Sequence, residues 1–220
     1  MDDNERLSPV ILEGQQVRLE PLTRRRHADL AAAGADASIW TWLPSAHTTP
    51  DAMADFIAEA LTRQERGDAL PFAIVERTEN RAIGSTRYHA IEMRHRRLEI
   101  GVTWITPRFQ RTAINTEAKY LLLRHAFEAL GYRRVEFKAD AHNTKSCQAL
   151  LRIGAVREGI FRKHMLYPDG RVRDSVYFSI IDEEWPGVRR GLEDTLARHR
   201  DQPGAGQHGA RIPDGIKKPC

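Results

Sequence analysis

The sequence predicts a single α/β domain, in which a mixed and largely antiparallel sheet is flanked by helices. Segments of alternating apolar and polar residues, typical of half-buried strands, are interspersed with segments whose apolar residues recur at helical spacing. Three strands between residues 71 and 105 follow one another through short polar turns, which favours antiparallel pairing. With 220 residues, 41% of them apolar, the chain has enough material for a full core.

The first half of the chain combines one strand, two helices and three further strands. Alternation predicts a strand over 15–22, and Thr23 is expected to cap a helix that ends near Ala33. A second, amphipathic helix begins at Asp51 and ends before Gly67. The three strands are predicted at 71–75, 82–89 and 98–105. In the last of them one face should hold Leu98, Ile100, Val102 and Trp104, and the other Glu99, Gly101 and Thr103.

The second half alternates helices with strands. A wide apolar stripe predicts a helix over 116–130, and Asn143 precedes a shorter helix over 144–152. A turn is expected at Pro168-Asp169-Gly170. The remaining elements are strands at 135–139, 156–161 and 172–181 and a terminal helix at 183–199. We therefore expect a flexible N-terminus over 1–11, one domain over 12–199 and a disordered tail over 200–220.

Composition points to a cytoplasmic protein without a membrane segment. No apolar run approaches the roughly 20 residues of a membrane span, and the acidic start lacks the apolar segment of a signal peptide. The two cysteines, Cys147 and Cys220, do not suggest a disulfide framework, and Cys147 is expected to be a packed thiol. The nine histidines show no metal-site spacing, so no metal is expected.

Two basic runs stand out in a chain of net charge +4, at residues 24–27 and 94–97. Each could contact nucleic acid or an acidic ligand, but solvated turn or helix faces are the favoured interpretation. No aromatic residues are interleaved with them to stack on bases. Nucleic acid is therefore not an expected partner.

The stretch over 107–119 has the features of an anion site. It leads from a strand through a tight loop into a helix, whose first N–H groups lack intrahelical partners and whose dipole favours negative charge. Arg108, Arg111 and Lys119 add positive charge nearby. A pyrophosphate could bind here, although an ordinary strand-to-helix connection with solvated charges has the same pattern.

The order of these elements resembles the GNAT superfamily of acyl-CoA-dependent N-acetyltransferases. Residues 110–115 stand where that family has its Gln/Arg-x-x-Gly-x-Gly/Ala loop. Asn143 and Ser146, followed by Gly154, resemble its second motif. Glu158-Gly159, the turn at Asp169-Gly170 and the strand over 174–181 look like the ribosomal-protein N-acetyltransferase (RimJ/RimL) branch. The resemblance covers about residues 12–185.

The resemblance implies acetyl-CoA as a co-substrate. Asn143 and Ser146 would contact its pantetheine arm, and the thioester would lie where the central strands part after a bulge, for which Gly101 is suited. Glu117, in the first turn of the phosphate helix, is expected to point away from the phosphates. The residues expected around the pyrophosphate are Arg108, Gln110, Arg111, Thr112, Ala113, Ile114, Asn115 and Thr116.

The same resemblance suggests the catalytic groups. Glu99 is the candidate base toward the amine, or it could merely pair with Arg97 or another arginine. Ser146 is the candidate proton donor to the leaving thiolate, or a helix-surface serine. Trp40 and Trp42 could form a wall of the acceptor site, or simply pack.

Two positions depart from the family pattern. The fourth loop position, usually Gly, is Ala113, whose Cβ would narrow the approach of a phosphate and disfavour a left-handed backbone. The position seven residues after Asn143, where many relatives carry a Tyr as general acid, is Leu150.

The expected activity is N-acetylation of a primary amine by direct attack. Protein N-terminal amines come first as acceptors, followed by small-molecule amines, and a homodimer is left open. An inactive acyl-CoA-binding regulatory module and an RNA- or ribosome-binding protein are the alternatives.

Overall fold

The computed structural model describes residues 6–201, and side chains are described up to His199. Eight strands form one sheet in the order β1-β2-β3-β4-β5-β6-β8-β7. Every neighbouring pair is antiparallel except β5 and β6, which are parallel. The strands are β1 Leu12–Glu13, β2 Val17–Pro21, β3 Ala69–Glu76, β4 Arg81–Glu92, β5 Arg97–Ile105, β6 Arg134–Asp140, β7 Val156–Leu166 and β8 Val172–Ile181. The expected mixed, largely antiparallel sheet is confirmed.

Five α-helices flank the sheet. Their boundaries follow ordinary signals: Thr49 caps α2 by accepting from the N–H of Ala52, and Gly67 ends it with a left-handed φ of 82°. Thr23 makes no side-chain cap, and a 3₁₀ turn, Arg24–Arg26, precedes α1 instead. The helices are α1 His27–Gly34, α2 Pro50–Arg66, α3 Ala113–Arg124, α4 Thr144–Arg152 and α5 Trp185–Asp201.

The two faces of the sheet bury separate apolar cores. One core packs α3 and α5 against β2 to β8 and includes Leu98, Leu122 and Phe178. The other packs α1 and α2 against β3, β4 and the end of β5, and includes Trp40 and Trp104. Because α1 and α2 contact only the first half of the sheet, they leave the same face of β6, β8 and β7 without a helix.

A bulge in β5 reverses the faces that simple alternation predicts. Ser85 lies opposite Trp104 and Arg87 opposite Gly101, so two residues of β5 face one of β4. Val102, not Gly101, takes the left-handed backbone, with φ 48°.

As a result Leu98 and Ile100 join the core beneath α3, whereas Val102 and Trp104 pack on the opposite face. The expectation that all four share a face is wrong, because the bulge inserts one residue into a period of two.

The helix after β5 begins three residues earlier than its apolar stripe suggests. α3 starts at Ala113 because Thr112 caps it, its Oγ1 accepting from the N–H of Ile114 at 3.3 Å. After Arg124 the chain continues as a π-helical turn, His125–Ala129. Most of the presumed phosphate loop therefore belongs to the first helical turn.

The ends of the chain are described only in part. Residues 6–11 form no regular element, but Leu7 and Val10 pack against the core, which differs from the expected loose segment. The first five residues and the expected tail beyond 201 lie outside the described residues. Cys147 is buried in α4 and takes part in a disulfide, so the expected free thiol is not found.

Candidate active site

The central feature of the site is the point where β5 and β6 separate. Their pairing covers only three positions and ends where Glu99 lies opposite Glu136. Beyond it the two strands diverge, because the bulge at Val102 turns β5 away while β6 continues beside β8. An extended ligand could lie between such strands and bond to the backbone groups that the sheet leaves unused.

The N-terminus of α3 follows the end of β5 directly. Arg111 has a left-handed backbone, φ 62°, and its side chain is exposed beside Thr112. Arg108 is also exposed, with its guanidinium 3.2 Å from a carboxylate oxygen of Glu79. Ala113 is helical, so the left-handed backbone falls on Arg111 and not on Ala113.

The remaining loop residues divide between surface and core. The Gln110 side chain donates to the carbonyl of Ile105 at 2.9 Å and thereby fixes the loop to the end of β5. Ile114 and Thr116 are buried, and Asn115 is half-buried. Backbone N–H groups and the two exposed arginines are therefore the groups here that could hold a phosphate.

Glu117 has a structural role and does point away from this turn. Its carboxylate is buried and accepts three backbone hydrogen bonds, from the N–H groups of Gln15, Gln16 and Val17 at 2.7, 2.8 and 2.9 Å. Gly14 makes the approach possible, because a Cβ there would lie 2.8 Å from the Glu117 carboxyl carbon. These hydrogen bonds thus connect α3 to the turn between β1 and β2.

Lys119 was expected to add positive charge beside the phosphate loop, but its side chain is buried elsewhere. Its Nζ donates to Oγ1 of Thr103 at 2.8 Å and lies 5.9 Å from the ring centroid of Phe137. It therefore bridges β5 and β6 where they separate. Burial lowers the pKa of Lys119 to about 7, so losing a proton can relieve the cost of burying its charge.

The start of α4 holds the second predicted pair. Oδ1 of Asn143 accepts from the N–H of Ser146 at 3.1 Å, so Asn143 is an N-cap. Ser146 is half-buried, and its hydroxyl makes no hydrogen bond to any of the described residues. Leu150 is buried in the core. The hydroxyl of Ser146 is thus available to a ligand at the start of α4.

Glu99 is buried at the point of separation and contacts basic side chains from two strands. Its carboxylate lies 3.0 Å from Nζ of Lys138 and 3.3 Å from Nε2 of His89. Gly101 leaves room for His89, since a Cβ there would lie 2.3 Å from the imidazole. Burial would raise the pKa of Glu99, but the contacts with His89 and Lys138 outweigh it and lower the pKa. The alternative interpretation, that Glu99 pairs with Arg97 or another arginine, holds only in part. Glu99 is paired, but its partners are Lys138 and His89.

Polar groups on β7 and β8 extend this cluster. Lys138 lies 5.6 Å from the ring centroid of Tyr177, whose hydroxyl is 3.5 Å from Nε2 of His164. The other ring nitrogen of His164 is 3.0 Å from Oγ of Ser175. Burial first, and then the charges of Lys138 and Arg173, lower the pKa of His164. Sequence reasoning missed this cluster, because only strand register brings its members together.

The two tryptophans expected at the acceptor site differ in position. Trp40 is buried against Trp104 at 5.1 Å between ring centroids, and its indole N–H donates to the carbonyl of Gly34. Trp42 is half-buried, and its carbonyl accepts from the Tyr167 hydroxyl at 3.3 Å. Trp42 thus joins the loop after α1 to the hairpin of β7 and β8.

No helix within residues 6–201 is long and apolar enough to cross a membrane. Over the same residues, no group of three or more His, Cys, Asp or Glu side chains is arranged to hold a metal ion.

The chain matches known acetyltransferases in sequence and structure. Residues 16–156 match the family described as "Acetyltransferase (GNAT) domain". The chain is 32% identical over 122 residues to "Uncharacterized N-acetyltransferase YoaA" of Bacillus subtilis, covering 56% of this chain and 67% of YoaA. It is 38% identical over 106 residues to "Putative ribosomal N-acetyltransferase YdaF" of the same organism, covering 48% of this chain and 57% of YdaF.

A GCN5-related N-acetyltransferase from Brucella melitensis has a similar solved structure, with a TM-score of 0.84 and 32% identity over 92% of each chain. The expected family and fold are confirmed, and the similarity to YdaF supports the expected branch. The chain belongs to the GNAT family and is an acetyltransferase.

Proposed function

We propose that the protein transfers the acetyl group of acetyl-CoA to a primary amine by direct attack. The observation that carries this proposal is the separation of β5 and β6 beyond Glu99, next to the capped N-terminus of α3. Such a gap can take an extended thioester arm, and the helix N-terminus can take its phosphates. The exposed side chains of Arg108 and Arg111 fit the phosphates of this co-substrate.

The chemistry needs a neutral amine, a polarised carbonyl and a proton for the leaving sulfur. The amine nitrogen adds to the thioester carbonyl carbon, and the carbonyl electron pair moves to oxygen. When this electron pair returns from oxygen to carbon, the carbon–sulfur bond breaks, which yields an amide and a thiolate. The nitrogen loses one proton and the sulfur gains one, so no further reactant is required.

The residues present can divide these tasks. Glu99 lies at the point of separation, on the face left open beside α2, and would accept the proton from the amine directly or through water. Its lowered pKa keeps it ionised at neutral pH, which favours binding an ammonium group before proton transfer. Ser146, at the first turn of α4, would donate to the sulfur.

The acceptor would enter over the open face of β6 and β8. Trp42 and Tyr167 close one end of this face, and Glu99 lies at the other. Protein N-terminal amines remain first among the acceptors that we propose, with small-molecule amines next. A screen of amine acceptors that detects released CoA thiol tests the activity. If acetyl-CoA binds but no acceptor releases thiol, the chain is an acyl-CoA-binding module instead.

Nothing in the basic runs favours nucleic acid. Arg26 pairs with Glu20 and Asp29, and Arg97 pairs with Glu92 and Glu136. One arginine of each run is therefore paired within the protein.

Binding of acetyl-CoA should depend on Arg111. We expect Arg111→Glu to weaken binding about tenfold or more, since it places a negative charge beside the phosphate seat, and the wild-type affinity should fall with salt. Arg111→Gly should weaken binding less, because it removes the charge but also relieves the left-handed strain. Calorimetry measures both.

Arg25→Glu is the matched control, because it makes the same charge change at an exposed position before α1. If the Arg111→Glu and Arg25→Glu variants bound acetyl-CoA with equal affinity, its phosphates would not bind beside Arg111. Failure of the wild type to bind millimolar acetyl-CoA would refute the proposed enzyme.

Ser146 and Asn143 should affect different kinetic constants. We expect Ser146→Ala to lower kcat about tenfold or more with little change in KM for acetyl-CoA, because it removes the proton donor. Asn143→Ala should mainly raise that KM and cost about 1 kcal/mol of stability through the lost cap.

Thr49→Ala removes a comparable cap from α2 and should lower stability without altering KM. If Ser146→Ala left kcat unchanged, water and not Ser146 would be the proton donor to the leaving sulfur.

A further inference from the structure

Arg173 is a buried cation for which the described part of the chain offers no anionic partner. Only 9% of the residue is exposed, and its guanidinium makes one hydrogen bond, from Nη1 to the hydroxyl of Tyr167 at 2.9 Å. Its Nε is buried and has no hydrogen-bond partner. No carboxylate among residues 6–199 lies within 4 Å of it.

Two other buried cations show how the fold ordinarily handles such a charge. Arg87 is buried under α2 and pairs with a carboxylate oxygen of Glu59 at 3.1 Å. Lys119 has no carboxylate, but its amine can lose its proton. Arg173 has no carboxylate partner among the described residues, and it cannot lose its charge because a guanidinium keeps its proton in proteins. An uncompensated buried charge is costly, which indicates that an anion completes the site.

The position of Arg173 identifies what that anion belongs to. On β8 it shares a face with Ser175 and Tyr177, two and four residues further on, and this is the face left without a helix. Tyr177 lies opposite Lys138, which binds Glu99. At the usual rise of about 3.3 Å per residue, the Cα atom of Arg173 lies on the order of 13 Å along β8 from that of Tyr177.

We infer that Arg173 binds a carboxylate of the acceptor, and that the substrates are amines carrying a carboxylate far enough from the reactive nitrogen to span the face between Glu99 and Arg173. A guanidinium offers a planar, bidentate fork to a carboxylate, and Nε with one terminal nitrogen is available for it. A peptide whose second to fourth residue is acidic has this geometry in extended form. The inference rests on the proposed acetyl transfer.

The kinetic test uses C-terminally amidated hexapeptides with a free N-terminus. Each carries Glu or Gln at position 2, 3 or 4 and is acidic nowhere else, and thiol release is measured with acetyl-CoA. We expect wild-type kcat/KM to be at least about tenfold higher for Glu than for Gln at one position. Arg173→Gln should abolish that preference by losing activity on the Glu peptide alone.

Arg171→Gln is the control, because it removes a charge from the same hairpin but from a half-exposed residue that already has Asp140 and Asp169 nearby. It should keep the preference. Equal rates on Glu and Gln peptides at every position, or a preference that survives Arg173→Gln, would overturn the inference while leaving acetyl transfer intact.

A second measurement needs no turnover. In the ligand-free protein, Arg173→Met should leave the melting temperature unchanged or raise it by a few degrees, since it removes an uncompensated buried charge. Arg87→Met, which leaves the Glu59 carboxylate unpaired, should lower it. If Arg173→Met lowered the melting temperature as much as Arg87→Met, the Arg173 guanidinium would already have its partners in the ligand-free protein. That result would overturn the inferred carboxylate site even if no acceptor is found.

Discussion

Glu99→Gln should lower kcat by about 100-fold or more and leave the affinity for acetyl-CoA nearly unchanged. The carboxamide has almost the same shape and still offers an oxygen to Lys138, but it cannot accept a proton from the amine. Steady-state kinetics with a responsive acceptor, together with calorimetric binding of acetyl-CoA, measure the two effects separately.

The pH dependence provides a further check. Because the pKa of Glu99 lies below its ordinary 4.5, protonation of this group should reduce wild-type activity only at pH values under about 4.5. The acidic limb of kcat/KM should therefore lie there, and Glu99→Gln should lack it. Between pH 6 and 9 the profile should reflect the acceptor amine.

Glu136→Gln is the matched control, since Glu136 lies opposite Glu99 on β6 and pairs with Arg97 and Arg134. It should retain wild-type kcat. If the two variants have the same activity, Glu99 serves only as the ion-pair partner of Lys138 and the base lies elsewhere.

Glu117→Ala should lower the free energy of unfolding by about 3 kcal/mol or more. The substitution leaves three backbone N–H groups, those of Gln15, Gln16 and Val17, without the acceptor that they have in the folded protein. Each unsatisfied buried donor costs about 1–3 kcal/mol, and some of this is recovered if water enters. Urea denaturation measures the change.

Glu117→Gln should cost less, because one carboxamide oxygen can still accept the bonds of Gln16 and Val17, which share a single carboxylate oxygen. Glu193→Ala, which breaks a surface pair with Arg189 and one hydrogen bond from the Tyr120 hydroxyl, should cost no more than about 2 kcal/mol. If Glu117→Ala were as mild as Glu193→Ala, the turn between β1 and β2 would not depend on this carboxylate.

The sequence by itself determined the elements and their order. The bounds of α4 and β8 coincide with those that apolar periodicity, the Asn143 cap and the Gly170 turn predict. These features are local, since each is set by residues within a few positions of one another. The helix N-terminus proposed as the anion site could be located for the same reason, although α3 begins at Ala113 rather than at Thr116.

Only the tertiary structure decided which side chains meet. His89, Glu99 and Lys138 come from three strands, and their contact depends on the register of β4, β5 and β6. A period-two pattern assigns faces but not register, and one bulge at Val102 reverses the faces that follow it. The burial of Arg173 beyond the reach of any described carboxylate follows from the same pairing of distant strands, which no local pattern in the sequence encodes.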